Sequence, residues 1–194
     1  MAAPSVLITG YPKFSNFEHN VSEKILSLLK QMDFGKTKIF TELLSVDEFG
    51  SNLTANRIKS GETFDVIIHL GFSSKSDKIR FEKYAYNEYK MSQPDNSGRC
   101  ISNGEIIKNQ KERHQTNADL LPLNSEFKAE SDIEWSEDPG RYICNETYFN
   151  TLNTINKNLI YNDIKVIFIH LPSEFIIDIS KQTEIIVRLI KCMT

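Results

Sequence analysis

The sequence predicts an α/β fold, a single-domain, three-layer α/β/α sandwich with a mostly parallel, mixed sheet. Short apolar segments alternate along the chain with segments of helical periodicity. The segment 64–70 (FDVIIHL) is a nearly unbroken apolar run, typical of a strand covered by helices on both faces. The 194 residues are enough for one sizeable core, and no segment resembles a linker. Residues 1–194 are therefore expected to form one domain.

The first half of the chain is expected to alternate strands and helices. The predicted elements are strand 5–9, helix 22–32, strand 38–46, helix 48–59, strand 64–70 and strand 78–86. A loop without a regular period follows Gly10, and loops that leave the carboxyl ends of strands are the usual ligand sites in α/β sheets. Ser22 can cap the first helix. Its expected buried side consists of Ile25, Leu26, Leu28 and Leu29.

The second half is less regular. From 93 to about 131 the pattern dissolves into turn residues and polar stretches, which indicates a long, partly mobile excursion that can include a hairpin. The predicted elements after it are strand 133–135, helix 146–158, strand 166–170 and helix 178–192. The last helix is amphipathic. Its apolar side consists of Ile179, Ile186, Leu189 and Ile190.

Composition and charge limit the classes of partner. The formal net charge of −3 supplies no positive field for a phosphate backbone, so nucleic acid is not an expected partner. The first apolar run is too short for a signal peptide or a membrane span, so we expect a cytoplasmic protein with no membrane partner. The three cysteines are widely spaced and form neither a disulfide framework nor a zinc pattern. We expect no metal and no cofactor.

The segment 138–149 (DPGRYICNETYF) contains the candidate nucleophile, Cys144. It brings a cysteine out of a glycine turn and directly into a helical pattern. A thiol in the first turn of a helix faces unpaired backbone N–H groups and the positive end of the helix dipole, and both favour thiolate over thiol. A lone cysteine at a helix start is nevertheless more often a buried structural residue.

Two further segments carry a candidate base and a candidate orienting group. His170 ends the apolar strand 166–170, which Pro172 stops. Glu82 lies within the predicted strand 78–86. Cysteine-dependent acyl transfer needs an imidazole to pass protons and a carboxylate or amide to hold its tautomer. Cys144, His170 and Glu82 therefore have the chemistry of a triad, although no spacing rule establishes that they meet.

Several motifs resemble those of one known family. Residues 136–145 (SEDPGRYICN) resemble S-x-DAGRYLC, and residues 168–172 (FIHLP) resemble FIHVP. Residues 9–14 (TGYPKF) resemble TGF-x-PF, and Asn20-x-Ser22 resembles the Asn-x-Ser that follows it. These motifs belong to the pyroglutamyl peptidase I family, also called pyrrolidone carboxyl peptidase. The resemblance covers nearly the whole chain, and the cysteine block is its most specific part.

The resemblance implies a cofactor-free cysteine peptidase that removes an N-terminal pyroglutamyl (5-oxoprolyl) residue from peptides through a thioester acyl-enzyme. Cys144, His170 and Glu82 stand at the family's catalytic positions. The resemblance further implies that four apolar or aromatic residues line the ring pocket, although core packing remains an alternative for each. These residues are Tyr11, Phe14, Tyr142 and Ile143. Family members occur as monomers and as tetramers, which leaves the oligomeric state open.

The chain departs from the family pattern at several positions. In the opening loop the proline has moved by one position and Ser15 replaces a glycine, while Pro139 replaces the alanine of DAGRY. Residues 75–77 (KSD) and 92–93 (SQ) stand where bacterial and archaeal members carry glycine and arginine. The first of these differences indicates that the chain is closer to the animal branch. Two alternatives therefore remain: a catalytically weakened binding protein of the same fold, and a thiol amidase acting on another small cyclic amide.

The other thiols and imidazoles are expected to have ordinary roles. Cys100 and Cys192 match no catalytic block. His69 lies inside an apolar strand and is expected to be a hydrogen-bonded core histidine, whereas His19 and His114 are expected to face solvent. The alternating tyrosines in and just after the fourth predicted strand favour a half-exposed strand face over a role in binding. They are Tyr84, Tyr86 and Tyr89.

Overall fold

The computed structural model describes residues 3–14 and 20–194, and its strands form two sheets. The six strands of the main sheet are β1 (Ser5–Gly10), β2 (Lys38–Leu43), β3 (Val66–Phe72), β4 (Ile79–Glu82), β7 (Ile133–Ser136) and β8 (Lys165–Leu171). The two strands of the small sheet are β5 (Tyr84–Tyr86) and β6 (Arg113–Gln115). The helices are α1 (Val21–Leu29), α2 (Glu48–Lys59), α3 (Leu120–Glu126), α4 (Ile143–Asn156) and α5 (Ile179–Met193), with a short 3-10 helix at Leu159–Tyr161.

The strand order of the main sheet is β2-β1-β3-β8-β4-β7. The pairings of β1 with β2 and β3, of β3 with β8, and of β4 with β7 are parallel. The pairing of β4 with β8 is antiparallel. The prediction of a mostly parallel, mixed sheet is therefore confirmed, and β4 is the strand at which the direction reverses.

Alternation along the strands separates two apolar layers. Even-numbered residues of β1 and β3, and odd-numbered residues of β8, pack against α1, α3 and α5. Their neighbours along the strands pack on the opposite face against α2 and α4. Since successive side chains of a strand point to opposite faces, this division produces a helix layer on each side of the sheet. The three-layer sandwich is confirmed.

Helix α1 begins two residues earlier than a cap at Ser22 would place it. Asn20 is the N-cap, and its Oδ1 accepts a hydrogen bond from the Ser22 backbone N–H at 3.1 Å. The helix buries Ile25, Leu26 and Leu29 as expected, but Leu28 is 36% exposed. The assignment of Leu28 to the buried side was wrong, because the three buried residues already fill the apolar stripe of so short a helix.

The predicted strand 78–86 is two strands in two different sheets. Between them, Lys83 donates its backbone N–H to Ser136 O at 2.7 Å and accepts at its carbonyl from Thr116 N at 2.8 Å. The chain therefore leaves the main sheet at Glu82, and β5 pairs with β6 in antiparallel fashion. Part of the long excursion is thus a β pairing across residues 84–115. The excursion also contains α3, which its seven residues and internal Pro122 concealed from periodicity.

His114 is buried, so its assignment to the surface was wrong. The residue is 6% exposed on β6, and its ring packs on Phe149 of α4 with ring centroids 5.0 Å apart. Its ring nitrogens contact Asn153 Oδ1 at 3.3 Å and Asn156 Nδ2 at 3.1 Å. The polar sequence around His114 gave no sign of this, because the partners lie about forty residues further along the chain. Tyr89, which was expected on a half-exposed strand face, is also buried, with 7% of its surface exposed.

Candidate active site

Cys144 lies in the first turn of α4, directly after the turn at Gly140. Gly140 has φ +76°, a left-handed conformation that glycine adopts without a Cβ clash. The N-cap residue, Tyr142, makes no side-chain capping bond. Its hydroxyl instead donates to the Pro94 carbonyl at 3.0 Å. The backbone N–H groups at the start of α4 therefore receive no side-chain acceptor from their own N-cap residue.

The residues next to Cys144 fix the helix start. The Asn145 side chain accepts from Tyr86 N at 2.8 Å and donates to Tyr86 O at 2.9 Å. Glu146 is 1% exposed, and its carboxylate accepts two hydrogen bonds from Arg99, at 3.0 and 2.7 Å. Neither contact could be expected from the sequence, because both link α4 to segments that are distant along the chain.

His170 and Glu82 meet across the antiparallel pair of strands. His170 follows Phe168 on the same face of β8, towards α4. Glu82 lies on β4 with no exposed surface, and its Oε1 is 2.8 Å from His170 Nδ1. The main-chain carbonyl of Glu82 accepts from Tyr148 Oη at 3.1 Å, which ties β4 to α4. Among the described residues, Glu82 Oε2 has no hydrogen-bond partner.

The surroundings of His170 raise its pKa. Burial lowers the pKa of the imidazole, but a side-chain hydrogen bond with Cys144, the hydrogen bond with Glu82 and the charges of both outweigh burial and raise the pKa to about 9. An imidazolium at this position lies between two groups that carry or can carry negative charge. The three predicted triad residues are therefore brought together in one place, with the imidazole between thiol and carboxylate.

A cavity of about 200 Å³ opens beside Cys144. All four predicted pocket residues line it, together with five that the sequence analysis did not select. The five are Asn20, Val46, Phe72, Ser74 and Gln93. They come from separate loops and strand ends, so their convergence depends on the topology and not on a local pattern. None of the ten lining residues has an acidic or basic side chain.

The aromatic wall of the cavity consists of Phe14 and Tyr142, whose ring centroids are 5.8 Å apart. Both are partly exposed, which is expected of rings that face a cavity. Tyr11 and Ile143 are 3% and 1% exposed, so these two residues both line the cavity and pack in the core. The alternative of pure core packing therefore does not describe Phe14 or Tyr142.

A buried polar chain connects the cavity wall to the centre of the sheet. Tyr11 Oη donates to Thr147 Oγ1 at 2.7 Å, and Thr151 Oγ1 donates to the Thr147 carbonyl at 2.9 Å. His69 lies 3.1 Å from Thr151 Oγ1 and 2.7 Å from Thr9 Oγ1. Burial lowers the pKa of His69 to about 3, so the ring is neutral. His69 is a hydrogen-bonded core histidine, as predicted.

The remaining predicted residues lie elsewhere. Cys100 is exposed, and Cys192 lies on α5 in the opposite helix layer. His19 and Ser15 fall outside the described residues. No group of three or more His, Cys, Asp or Glu side chains in 3–14 and 20–194 could hold a metal ion. No helix within the same residues is long and apolar enough to cross a bilayer.

Comparison with known proteins places this arrangement in a family. Pyrrolidone-carboxylate peptidases from Thermosipho melanesiensis and Thermococcus litoralis are 25% and 26% identical to the chain over 169 and 171 residues. Each alignment covers 86% of this chain, and they cover 82% and 76% of the two relatives.

Solved structures share the fold. The pyrrolidone carboxyl peptidase from Fervidobacterium islandicum AW-1 has a TM-score of 0.85 and 26% identity, with 97% of this chain and 96% of that one covered. The pyroglutamyl peptidase I from Bacillus amyloliquefaciens has a TM-score of 0.86 at 21% identity, with 100% and 96% covered. The family model described as pyroglutamyl peptidase matches residues 4–187. The chain therefore belongs to the pyroglutamyl peptidase family.

Proposed function

We propose that this protein is a cysteine peptidase that hydrolyses the amide bond after an N-terminal pyroglutamyl residue. The observation that carries the proposal is the contact of His170 Nδ1 with Glu82 Oε1 at 2.8 Å, on a ring that also interacts with Cys144. The uncharged cavity beside the thiol supplies a place for the substrate ring. Membership of the family, whose named relatives are pyrrolidone-carboxylate peptidases, supports the same activity.

The proposed reaction follows from the order of the three groups. Glu82 accepts Nδ1–H of His170, which leaves Nε2 to exchange a proton with Cys144. The thiolate attacks the carbonyl carbon of the pyroglutamyl residue and forms a tetrahedral intermediate. The intermediate collapses to a thioester, and the leaving peptide amine takes its proton from His170. Water, deprotonated by His170, then releases pyroglutamate and restores the thiol.

The first turn of α4 is the proposed source of oxyanion donors. Its backbone N–H groups receive no side-chain cap from Tyr142, and the helix dipole places positive charge there. The loop after Gly10 is a weaker source of oxyanion donors, because the Tyr11 N–H already donates a hydrogen bond to Ser22 Oγ at 3.0 Å. We therefore assign the oxyanion site to the helix start.

Specificity follows from the lack of charge in the cavity. A pyroglutamyl residue has no free α-amine, so an acidic anchor would be left unpaired and costly on binding. The cavity offers aromatic and aliphatic surface from Phe14, Tyr142 and Ile143. These residues suit a small neutral lactam better than the charged terminus of an ordinary peptide.

Two finer assignments are also proposals. The differences at 75–77 favour the animal branch of the family, whereas the relatives compared above are bacterial and archaeal. We propose the cytosol as the site of action, because its reducing conditions keep a thiol nucleophile in the reduced form. N-terminally pyroglutamylated peptides are the proposed partners, and neither nucleic acid nor membrane is proposed.

A fluorogenic pyroglutamyl amide tests the activity. Purified protein should release the fluorophore, and Cys144→Ala should abolish release. Cys192→Ala is the matched control, since it removes a thiol on α5, in the helix layer on the other face of the sheet from α4. The control should retain wild-type turnover.

Other outcomes would contradict the proposal. Binding of pyroglutamate without turnover would favour the catalytically weakened binding protein. Turnover of another small cyclic amide, with none of the pyroglutamyl amide, would favour the thiol amidase. Turnover that survives Cys144→Ala would reject Cys144 as nucleophile.

A further inference from the structure

A buried carboxylate, that of Glu146, lies two residues after Cys144 in α4. In an α-helix, Cα atoms two residues apart are separated by about 5–6 Å. A negative charge so near Cys144 opposes the formation of the thiolate that the proposed reaction needs, because like charges repel more strongly inside a protein than in water. The charge of Glu146 therefore has to be compensated if Cys144 is to react as a thiolate.

Arg99 supplies the compensating charge through a bidentate pair. Its Nη1 and Nη2 donate to Oε1 and Oε2 of Glu146 at 3.0 and 2.7 Å, and Tyr89 Oη also donates to Oε1, at 2.7 Å. Oε2 of Glu48, a more exposed carboxylate on α2, lies 4.0 Å from Arg99 Nη1. Because the bidentate pair is largely shielded from solvent, it cancels the charge of Glu146 where screening by water and salt is weak.

The guanidinium of Arg99 is itself held in a fixed orientation. Its Nε donates to Asp95 Oδ2 at 2.9 Å. Asp95 Oδ1 accepts from the backbone N–H groups of Ser97 and Arg99, at 3.0 and 2.9 Å. The same turn is joined to the start of α4 by the hydrogen bond from Tyr142 Oη to the Pro94 carbonyl. The pair with Glu146 is therefore preorganised and needs no substrate to form.

Two tyrosines connect this network to the thiol electrostatically. Burial raises the pKa of the Tyr11 hydroxyl well above its ordinary value, and the charges of Cys144 and Glu146 add to the rise. The thiol and the carboxylate therefore act on the same buried side chain. On the other side of the thiol, His170 is the cation expected to face Cys144.

Tyr142, the second tyrosine, is affected by the other members of the network. Burial raises the pKa of Tyr142 to about 12, the charges of Asp95, Cys144 and Cys100 add to the rise, and the charge of Arg99 opposes it. Arg99 and the Cys144 thiol thus lie within electrostatic range of one residue at the start of α4.

We propose that Arg99 is a positioning residue for Cys144, whose guanidinium cancels the charge of the Glu146 carboxylate and so keeps the start of α4 favourable for a thiolate. This inference rests on the proposed function, which makes Cys144 the nucleophile, and goes beyond it. Arg99 does not line the cavity and acts on the thiol through Glu146. Its consequence is that loss of Arg99 and loss of the Glu146 charge shift the ionisation of Cys144 in opposite directions.

The test measures the rate of alkylation of Cys144 by iodoacetamide as a function of pH, with mass spectrometry of the full chain to follow this one thiol. Arg99→Gln leaves the Glu146 carboxylate without its cation, so the midpoint of the pH profile should rise by about 1 pH unit. Glu146→Gln removes the negative charge, so the midpoint should fall. The double variant, Arg99→Gln with Glu146→Gln, should have a midpoint between those of the two single variants.

Two further variants separate electrostatics from packing. Arg99→Lys keeps the charge and loses the bidentate geometry, so it should retain most of the wild-type midpoint. Arg188→Gln is the matched control, because Arg188 also pairs with two carboxylates, Glu126 and Glu130, but lies on α5 in the opposite helix layer. Its midpoint should equal that of the wild type. Circular dichroism and melting temperatures establish that each variant is folded.

Each contrary outcome overturns the inference. A merely structural role would lower the melting temperature and slow alkylation in both single variants, without moving their midpoints in opposite directions. A Glu146→Gln midpoint equal to that of the wild type would also reject the role of Arg99. If Arg99→Gln does not fold, the double variant decides, since its midpoint must lie above that of Glu146→Gln. An equal shift in Arg188→Gln would assign the effect to the net charge of the whole protein.

The proposed function is judged separately, by turnover of the pyroglutamyl amide in wild-type protein. Turnover without opposite shifts in the two variants leaves the peptidase standing and removes the inference. Opposite shifts in a protein without turnover remove the peptidase and leave the inference on the reactivity of Cys144 standing.

Discussion

Gly71 and Cys144 are so close that a side chain on one would touch the reactive atom of the other. A Cβ built at Gly71 would lie 3.0 Å from Cys144 Sγ and 2.8 Å from the Phe168 ring. Gly71 lies on β3 opposite His170 of β8 in the parallel register. The absence of a side chain at this position thus creates the space in which the thiol approaches the sheet.

Replacement of Gly71 by alanine should lower the reactivity of the Cys144 thiol more than it lowers the stability of the fold. The added methyl group must displace Phe168 or Cys144, and overpacking of this kind costs about 1–3 kcal/mol of stability. We expect a lower melting temperature, and at temperatures well below it a kcat reduced about 10-fold or more. Alkylation of Cys144 should slow in parallel. Wild-type kcat in a destabilised variant would show that the thiol does not need this space.

Replacement of Glu82 by glutamine should shift the alkaline limit of activity to lower pH. The hydrogen bond and charge of Glu82 help to raise the pKa of His170 to about 9, and glutamine removes the charge. The imidazolium that protonates the leaving amine then loses its proton at lower pH. The measurement is the pH profile of kcat/KM, with circular dichroism to establish folding. An unchanged alkaline limb in a folded variant would reject the electrostatic coupling.

Replacement of Phe14 by alanine should weaken substrate binding more than it weakens thermal stability. Phe14 is partly exposed and forms the cavity wall with Tyr142, so loss of its ring removes about 1–2 kcal/mol of apolar contact with the substrate. We expect KM to rise about 10-fold with a small change in melting temperature. Equal losses of substrate binding and of thermal stability would indicate that Phe14 is a core-packing residue.

An alkylating agent should label Cys144 before the other two thiols. Cys144 interacts with His170, whereas burial and the charges of Glu126 and Asp119 raise the pKa of Cys192. Cys100 is exposed but has no imidazole partner among the described residues, so it should react at the rate of an ordinary thiol. Mass spectrometry of partly alkylated protein gives the order. Faster labelling of Cys100 or Cys192 would contradict the proposed activation of Cys144.

Two buried histidines should make the fold sensitive to mild acid. Burial lowers the pKa of His69 to about 3 and is the main cause that lowers the pKa of His114. In the unfolded chain both have a pKa near 6.5, so below about pH 6.5 the unfolded state binds protons that the folded state does not. The stability that these two histidines contribute is therefore fully present above about pH 6.5. It is lost as the pH falls, by up to about 1.4 kcal/mol per pH unit for each histidine. His170 adds little below about pH 6.5, since its raised pKa leaves it protonated in both states there.

Urea unfolding between about pH 5 and 6.5 measures this loss, because most carboxylates are ionised in that range. His114→Gln should reduce the pH dependence by the share of one histidine. A free energy of unfolding that does not change across this range would contradict the lowered pKa values of His69 and His114.

Local patterns in the sequence were sufficient to predict the order of the main strands and helices. Apolar runs such as 66–70 and the amphipathic α5 carry their own signal. The motifs around Cys144 and His170, with the position of Glu82 in a predicted strand, identified the three residues that the fold brings together. Element ends moved by a few residues, because capping depends on particular side chains. Asn20 caps α1, for example, and its side chain accepts from Ser22 N.

The features that escaped prediction depend on contacts between distant segments. The division of 78–86 into two strands depends on Lys83 bonding to Ser136 and Thr116, which no pattern near Lys83 reveals. The burial of His114 depends on α4, and the position of the Asp95 to Arg99 turn depends on the Arg99 and Glu146 pair. Local periodicity contains no information about such partners, so these parts of the fold and of the cavity required the structure.

The residues of the proposed proton relay lie in two layers of the molecule. The sheet carries imidazole and carboxylate as one unit, because β4 and β8 are hydrogen-bonded neighbours, while the sulfur belongs to a helix that rests on that sheet. A partly denatured form that keeps its helices and strands but loses the packing of the helix layer on the sheet would already be inactive. In a denaturant titration, activity would then be lost before the far-ultraviolet circular dichroism signal. The difference between the denaturant midpoints of the two losses would measure how strongly the helix layer is packed against the sheet.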